Sequence, residues 1–250
     1  RIVIGLVALA SILGVGVASA KTPPPPPQPA LLVLGDSLTW GTNYRGFGNV
    51  TPKLKAVGYF NTLVVDGVFA RNISGPAGTA RNGVKTLKKL SASGLRANAA
   101  IIALGSNDLQ HSADPAFYKQ RIRELLDLVG PIPVVWFNVW RTDAVYYPKR
   151  SAIFNATLTE VAADYPNVTI ADWASIVVAN PKLMAFDGLH LQPVGYRLRA
   201  QMYVEAAQML IATLNPPPTT TTTSTTTTTT TVPETTTTVV ESTTSTSVAG

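Results

Sequence analysis

Short apolar runs recur along the middle of the chain, and stretches with apolar positions at helical spacing lie between them. The runs read as strands: LLVLG at 31–35, TLVVD at 62–66, AAIIAL at 99–104, IPVVWFN at 132–138 and NVTIA at 167–171. Between them, GVKTLKKLSASG (83–94) and DPAFYKQRIRELLDLVG (114–130) read as amphipathic helices. In the second, Phe117, Ile122, Leu125, Leu126 and Val129 share one face. PVGYRLRAQMYVEAAQMLIATL, 193–214, reads as a final long helix with Pro193 suited to its first turn. Strands spaced by helices imply a parallel sheet with right-handed crossovers and helices on both faces. The pattern predicts a three-layer, doubly wound α/β sandwich with a five-stranded sheet of flavodoxin-like order 2-1-3-4-5. Ligands of such sheets bind at the C-terminal strand ends, near the switch between strands 1 and 3.

The pattern breaks at both ends. Residues 2–20, IVIGLVALASILGVGVASA, carry no charge, run long enough to cross a bilayer and end in Ala18-Ser19-Ala20, a small-x-small signal-peptidase pattern. Residues 1–20 are therefore expected to be a signal peptide or a membrane helix, and either places the domain behind them outside the cytoplasm. The start at Arg1 leads us to expect further sequence upstream. KTPPPPPQP, 21–29, is a Pro-rich linker of the stiff, extended kind. Residues 215–250 are Thr-rich with almost nothing to bury, and are expected to be a disordered stalk or tail. Residues 30–214 remain as one domain, long enough for a full core.

Composition narrows the setting. The 250 residues include no cysteine, which excludes disulfides and thiolate metal sites. An exported protein without disulfides suits a bacterial cell envelope. The formal net charge is +6, and outside 21–214 only Arg1, Glu234 and Glu241 are charged. A basic domain outside the cell suits anionic wall polymers or lipid head groups. Export and the lack of a recognisable motif argue against nucleic acid. A monomer is expected.

Polar residues then appear where the sheet would bind its ligand. The loop after the first strand holds Asp36 and Ser37, the loop after the third holds Gly105, Ser106, Asn107 and Asp108, and the loop before the last helix holds Asp187 and His190. Acyl transfer needs such a set: a serine hydroxyl, an imidazole to take its proton, and a carboxylate to orient the imidazole. The oxyanion needs aimed donors, for which the Ser37 N–H at a helix start and the Asn107 side-chain amide are candidates. Each residue also has a plainer reading. Asp36 or Ser37 is a good helix cap, Asn107 a turn residue, Asp187 the start of an Asx turn beside Gly188, and His190 a half-buried core histidine.

Taken together, the motifs resemble the SGNH, or GDSL, hydrolases. GDSL at 35–38 holds the family's nucleophile, GSND at 105–108 its asparagine and DGLH at 187–190 its Asp-x-x-His. The resemblance implies catalysis by Ser37, Asp187 and His190, with an oxyanion hole of the Ser37 N–H, the Asn107 amide and a second backbone N–H. In the family that N–H usually belongs to a glycine after strand 2. Here VVDGVFARNISGPAG offers Ala70 by position, with Arg71 or Gly67 as alternatives. VDGVFARN, LGSND, the pattern of Trp140, Asn155 and Leu158, and NVTIADWAS are similar to the extracytoplasmic SGNH domains of peptidoglycan O-acetyltransferases. That likeness implies an esterase or O-acyltransferase acting on an acyl ester, with O-acetyl on a cell-wall glycan as the expected substrate. Neither a metal nor an organic cofactor is implied.

Trp40, Tyr44, Arg71 and Trp140 are candidate substrate-binding residues: Trp40 and Tyr44 read as a platform for a sugar ring or as packing of the first helix on the sheet, Trp140 as cleft lining, and Arg71 as a partner for a substrate carboxylate or a solvated loop arginine. His111 reads as an exposed loop residue, and it has no second histidine at ligand spacing to suggest zinc. The competing functions are a lipase or carboxylesterase acting on lipid or simple esters, and a catalytically silent wall-binding module.

Overall fold

The computed structural model describes residues 29–216. The expected signal peptide or membrane helix at 1–20, the Pro-rich linker up to residue 28 and the Thr-rich tail beyond 216 lie outside the described residues. Among the described residues no helix is long and apolar enough to cross a membrane.

The predicted sheet is present. Strands β1 (Ala30–Gly35), β2 (Thr62–Gly67), β3 (Ala99–Ala103), β4 (Val134–Phe137) and β5 (Val168–Ala171) run parallel in the order β2-β1-β3-β4-β5. Around it lie helices α1 (Ser37–Asn43), α2 (Val50–Ala56), α3 (Gly83–Ala92), α4 (Pro115–Val129), α5 (Tyr147–Ala162), α6 (Trp173–Ala179) and α7 (Pro193–Leu214). Alternate strand residues face opposite ways, so Leu31, Val33, Ile101, Val135 and Phe137 pack with residues of α1, α2, α6 and α7. Leu32, Leu34, Ile102, Val134 and Trp136 pack with residues of α3, α4 and α5. Central strands covered on both faces read as unbroken apolar runs, and β1 and β3 are buried throughout. The strand drawn over 132–138 is shorter in the structure, because Pro133 has no N–H to give a ladder.

Gly35 explains how tightly β1 turns into α1. A Cβ there would lie 1.8 Å from the Thr39 Oγ1, so only glycine lets the helix start directly on the strand end. That turn delivers the next residues, Asp36 and Ser37, to the C-terminal edge of the sheet.

Candidate active site

Asp36 is the N-cap of α1, its Oδ1 accepting a hydrogen bond from the Leu38 N–H at 2.9 Å. Ser37 is the first residue of the helix, where backbone N–H groups have no partner within the helix. It is 6% exposed, and its N–H meets no acceptor among the described residues. The cap and the placement of Ser37 at the helix start are therefore one arrangement.

His190 comes from a tight loop closed by pairing of Met184 with Leu191. Within it the Ala185 N–H donates to the His190 carbonyl at 2.8 Å, and Gly188 turns the chain at φ 65°. Asp187 Oδ1 accepts from the N–H groups of Leu189 and His190 at 3.1 and 2.8 Å, which is the turn geometry expected of an aspartate there. Its other oxygen, Oδ2, lies 2.6 Å from His190 Nδ1, and His190 Nε2 lies 3.0 Å from Ser37 Oγ. A carboxylate can only accept, so Nδ1 carries a proton, and Nε2 faces the serine hydroxyl. Partial burial raises the Asp187 pKa, but the bonds from the His190 ring and the two N–H groups outweigh it and leave it below the ordinary carboxylate value. The loop thus holds the Asp187 carboxylate behind the imidazole, whose Nε2 faces Ser37 Oγ.

The third-strand loop closes in from the other side. The Ser106 hydroxyl donates to Asp36 Oδ2, and Asn107 Nδ2 lies 3.3 Å from the same oxygen and 3.1 Å from the Arg71 carbonyl. Asp36 is 1% exposed; burial raises its pKa, and the bonds from Ser106 and Leu38, with the charges of Arg199 and His190, only partly offset that rise. Asp108 is buried as well. It accepts from the Ile73 N–H at 2.9 Å and pairs with Arg121 at 2.8 Å, yet burial pushes its carboxyl up to about 6. Asp108 therefore fastens the loop after β2 to the Asn107 turn.

Comparison with known proteins fits this geometry. The model of the GDSL-like lipase/acylhydrolase family matches residues 33–198. The chain belongs to that family. It is a GDSL-type serine hydrolase of the esterase/acylhydrolase kind. Part of it is similar to O-acetyltransferase OatA of Staphylococcus aureus (strain NCTC 8325 / PS 47), 26% identical over 108 residues. That match covers 43% of this chain and 16% of the relative, so the chain spans a small part of that protein. Its fold is shared with a lipase/acylhydrolase from Enterococcus faecalis (TM-score 0.59, 19% identity, covering 72% of this chain and 96% of that one). A carbohydrate acetylesterase family member from Sinorhizobium meliloti is similar in the same sense (TM-score 0.58, 18% identity, 74% and 99%).

In this GDSL-type hydrolase the loop after β2 has an unusual backbone. Ala70 adopts φ 54°, is exposed, and its N–H has no acceptor among the described residues. Of the alternatives for that donor, Gly67 belongs to β2, paired with Gly35, and Arg71 is buried. Arg71 corrects the expectation of a substrate-binding side chain. Its guanidinium is 1% exposed and committed to the Gly35, Asp66 and Ala80 carbonyls at 3.0, 2.8 and 2.7 Å and to the Asp66 carboxylate at 2.8 Å. No donor pair is left for a ligand; the residue anchors the loop.

Trp40 and Tyr44 are 41% and 48% exposed, and their rings stack at 5.4 Å. Phe69, which sequence reasoning missed, is 49% exposed and lies 4.7 Å from Trp40. Its place immediately before Ala70 was the available signal. Trp140 is half-buried and lines a cleft of about 630 Å³ that also touches Asp187. Asn155 secures that segment, accepting from the Val139 N–H at 3.0 Å and donating to its carbonyl at 2.9 Å. Neighbouring Arg141 is buried, bonded to the Ser106 carbonyl and paired with Asp143. His111 is exposed.

Proposed function

We propose that this hydrolase is an extracytoplasmic serine esterase or O-acyltransferase acting on O-acetyl groups of a cell-wall glycan through Ser37, His190 and Asp187. The observation that carries the reading is the continuous hydrogen-bonded chain from Asp187 Oδ2 to His190 Nδ1 (2.6 Å) and from His190 Nε2 to Ser37 Oγ (3.0 Å). Ser37 Oγ attacks the ester carbonyl carbon while Nε2 takes its proton, and Asp187 steadies the imidazolium. The oxyanion is held by the N–H groups of Ser37 and Ala70 and by Asn107 Nδ2, which exchanges its long 3.3 Å contact with Asp36 for it. Collapse breaks the ester bond, and His190 returns the proton to the leaving alcohol. Water or a sugar hydroxyl, deprotonated by His190, then attacks the acyl-serine and restores the enzyme.

Three features support the glycan. The exposed rings of Trp40 and Tyr44, which stack, and of Phe69, tilted against Trp40, offer apolar surface to the C–H side of a sugar ring. The relative named O-acetyltransferase OatA and the structure described as a carbohydrate acetylesterase family member carry out related transfers by name. The apolar segment within 1–20, read as an export signal or membrane anchor, and the Pro-rich spacer at 21–29 support a place in the envelope.

The test monitors hydrolysis of a chromogenic acetate ester by the protein and its Ser37→Ala variant, with and without excess chito-oligosaccharide. Turnover lost in the variant, with acetylated sugar formed by the parent, supports the transferase reading; acetate release alone supports the esterase. A folded Ser37→Ala variant with unchanged turnover overturns the assignment. Preference for long acyl chains moves the substrate to lipid esters.

A further inference from the structure

We infer that the cleft beside Asp187 is a saccharide subsite, seating the part of a glycan that extends past the reacting ester on the acid side of the triad. This rests on the reading of the enzyme as one that acts on acylated glycans. The cleft holds about 630 Å³, within the range of roughly 300–1,000 Å³ typical of small-ligand pockets. Trp140, Val178, Met184 and Phe186 give it apolar walls, and Thr142 and Asp143 give it a polar edge. Phe186 is fully exposed at 103% and Val178 is 50% exposed, so large apolar side chains stand in water next to the triad.

The chemistry of the lining selects among ligands. The protein is basic overall, at +6, yet among the described residues no lysine or arginine lines the cleft, whereas two carboxylates do. An anionic ligand would meet Asp143 and Asp187, whose partners Arg141 and His190 are already bonded to them and do not line the cleft. An aliphatic chain would strip water from the remaining lone pairs of both carboxylates, which is costly even though Arg141 and His190 bond them; the Thr142 hydroxyl would keep its bond to the Gly188 carbonyl at 3.3 Å. A neutral sugar satisfies both parts, its C–H faces on the Trp140 and Phe186 rings and its hydroxyls donating to carboxylate oxygens. Asp143 is fixed for this by the Arg141 Nε at 2.8 Å and retains further lone pairs.

The cleft is also joined to the catalytic loop. The Thr142 N–H donates to the Gly188 carbonyl at 2.8 Å, and a Cβ on Gly188 would come 2.7 Å from the Asp143 nitrogen. The polar edge is thus pressed against the turn between Asp187 and His190. The Trp40 strip lies at the Ser37 end of the hydrogen-bonded chain and the cleft at the Asp187 end. A substrate longer than one sugar would use both.

The test measures binding and turnover separately, with the full protein and its Phe186→Ala and Val178→Arg variants. Calorimetric titration of the Ser37→Ala background with a chito-oligosaccharide should show binding that Phe186→Ala weakens about three- to tenfold and Val178→Arg weakens further. With the intact serine, the ratio of kcat/KM for an acetylated chito-oligosaccharide to that for a chromogenic acetate should fall by the same factor. Binding with no oligosaccharide turnover would fault the proposed reaction while upholding the subsite. No binding by the parent, or binding indifferent to both variants, overturns the subsite. So does a Phe186→Ala defect confined to chromogenic esters of long acyl chains, which would make the cleft an acyl pocket.

Discussion

Ala70 offers a sharp test of the proposed oxyanion hole, because its backbone is the feature most at odds with its side chain. At φ 54° it occupies the left-handed region, which costs an L-residue roughly 1–2 kcal/mol. Such strain persists only where the surroundings over-determine the backbone. Here they do: the next residue, Arg71, is bonded to three carbonyls and one carboxylate drawn from β1, β2 and the following loop. The Ala70 methyl is exposed, so Ala70→Gly forfeits little contact. It removes the strain but loosens the unfolded chain, at a cost of about 0.5–1 kcal/mol. The expected net effect is a gain of about 0.5–1 kcal/mol with kcat within about twofold of the parent. Ala70→Val runs the other way. A β-branched residue fits positive φ poorly, so the loop must shift, stability falls, and the N–H leaves its aim. Losing one oxyanion donor typically lowers kcat by about 10²–10³. Urea midpoints at constant m, together with kcat on a chromogenic acetate, read both effects. A destabilised glycine variant would refute the strain, and a valine variant with parental kcat would refute the role of the N–H.

Further expectations concern the residues around it. Asn107→Ala should lower kcat by about 10²–10³ with little change in KM, since its amide is asked to act on the transition state; steady-state kinetics decide, and a pure KM effect would contradict this. Arg71→Met should destabilise the fold by about 1–3 kcal/mol in chemical unfolding, because the carbonyls it satisfies lose their donor. A stable variant with a raised KM would instead restore Arg71 to the substrate. Asp108 has its carboxyl raised by burial from 3.8 to about 6, so between those values the folded protein binds more proton than the unfolded chain. Its contribution therefore favours the fold at low pH and declines as pH rises through about 6, by up to roughly 3 kcal/mol. Asp108→Asn should flatten that part of the stability profile between about pH 4 and 7, and an unchanged slope would count against it.

Much of the fold was legible because strands buried on both faces leave unbroken apolar runs, as β1 and β3 do. Helix α5 has no clear sequence signature, because Ser151 and Thr157 share its buried face with Phe154, Leu158 and Val161 and blur the apolar period. The site was legible as three loops, and the plainer readings of its residues turned out to be compatible with chemistry. Asp36 caps α1 with one carboxylate oxygen and receives Ser106 and Asn107 on the other. Asp187 likewise makes its turn with one oxygen and meets His190 Nδ1 with the other. Arg71 was misread because its burial depends on carbonyls converging from Gly35, Asp66 and Ala80, which no local pattern records. Phe69 was overlooked because the exposure of an apolar side chain is a tertiary property.

The measurement that bears most directly on the central claim is the acyl-enzyme itself. The protein is mixed with a chromogenic acetate, quenched in acid during turnover, and analysed by intact mass and peptide mapping. The account predicts one acetyl group, carried on Ser37 and absent from Ser37→Ala, which should also be inactive. Sustained turnover with no acetyl on Ser37, or with the acetyl on another residue in a fully active Ser37→Ala variant, would contradict it.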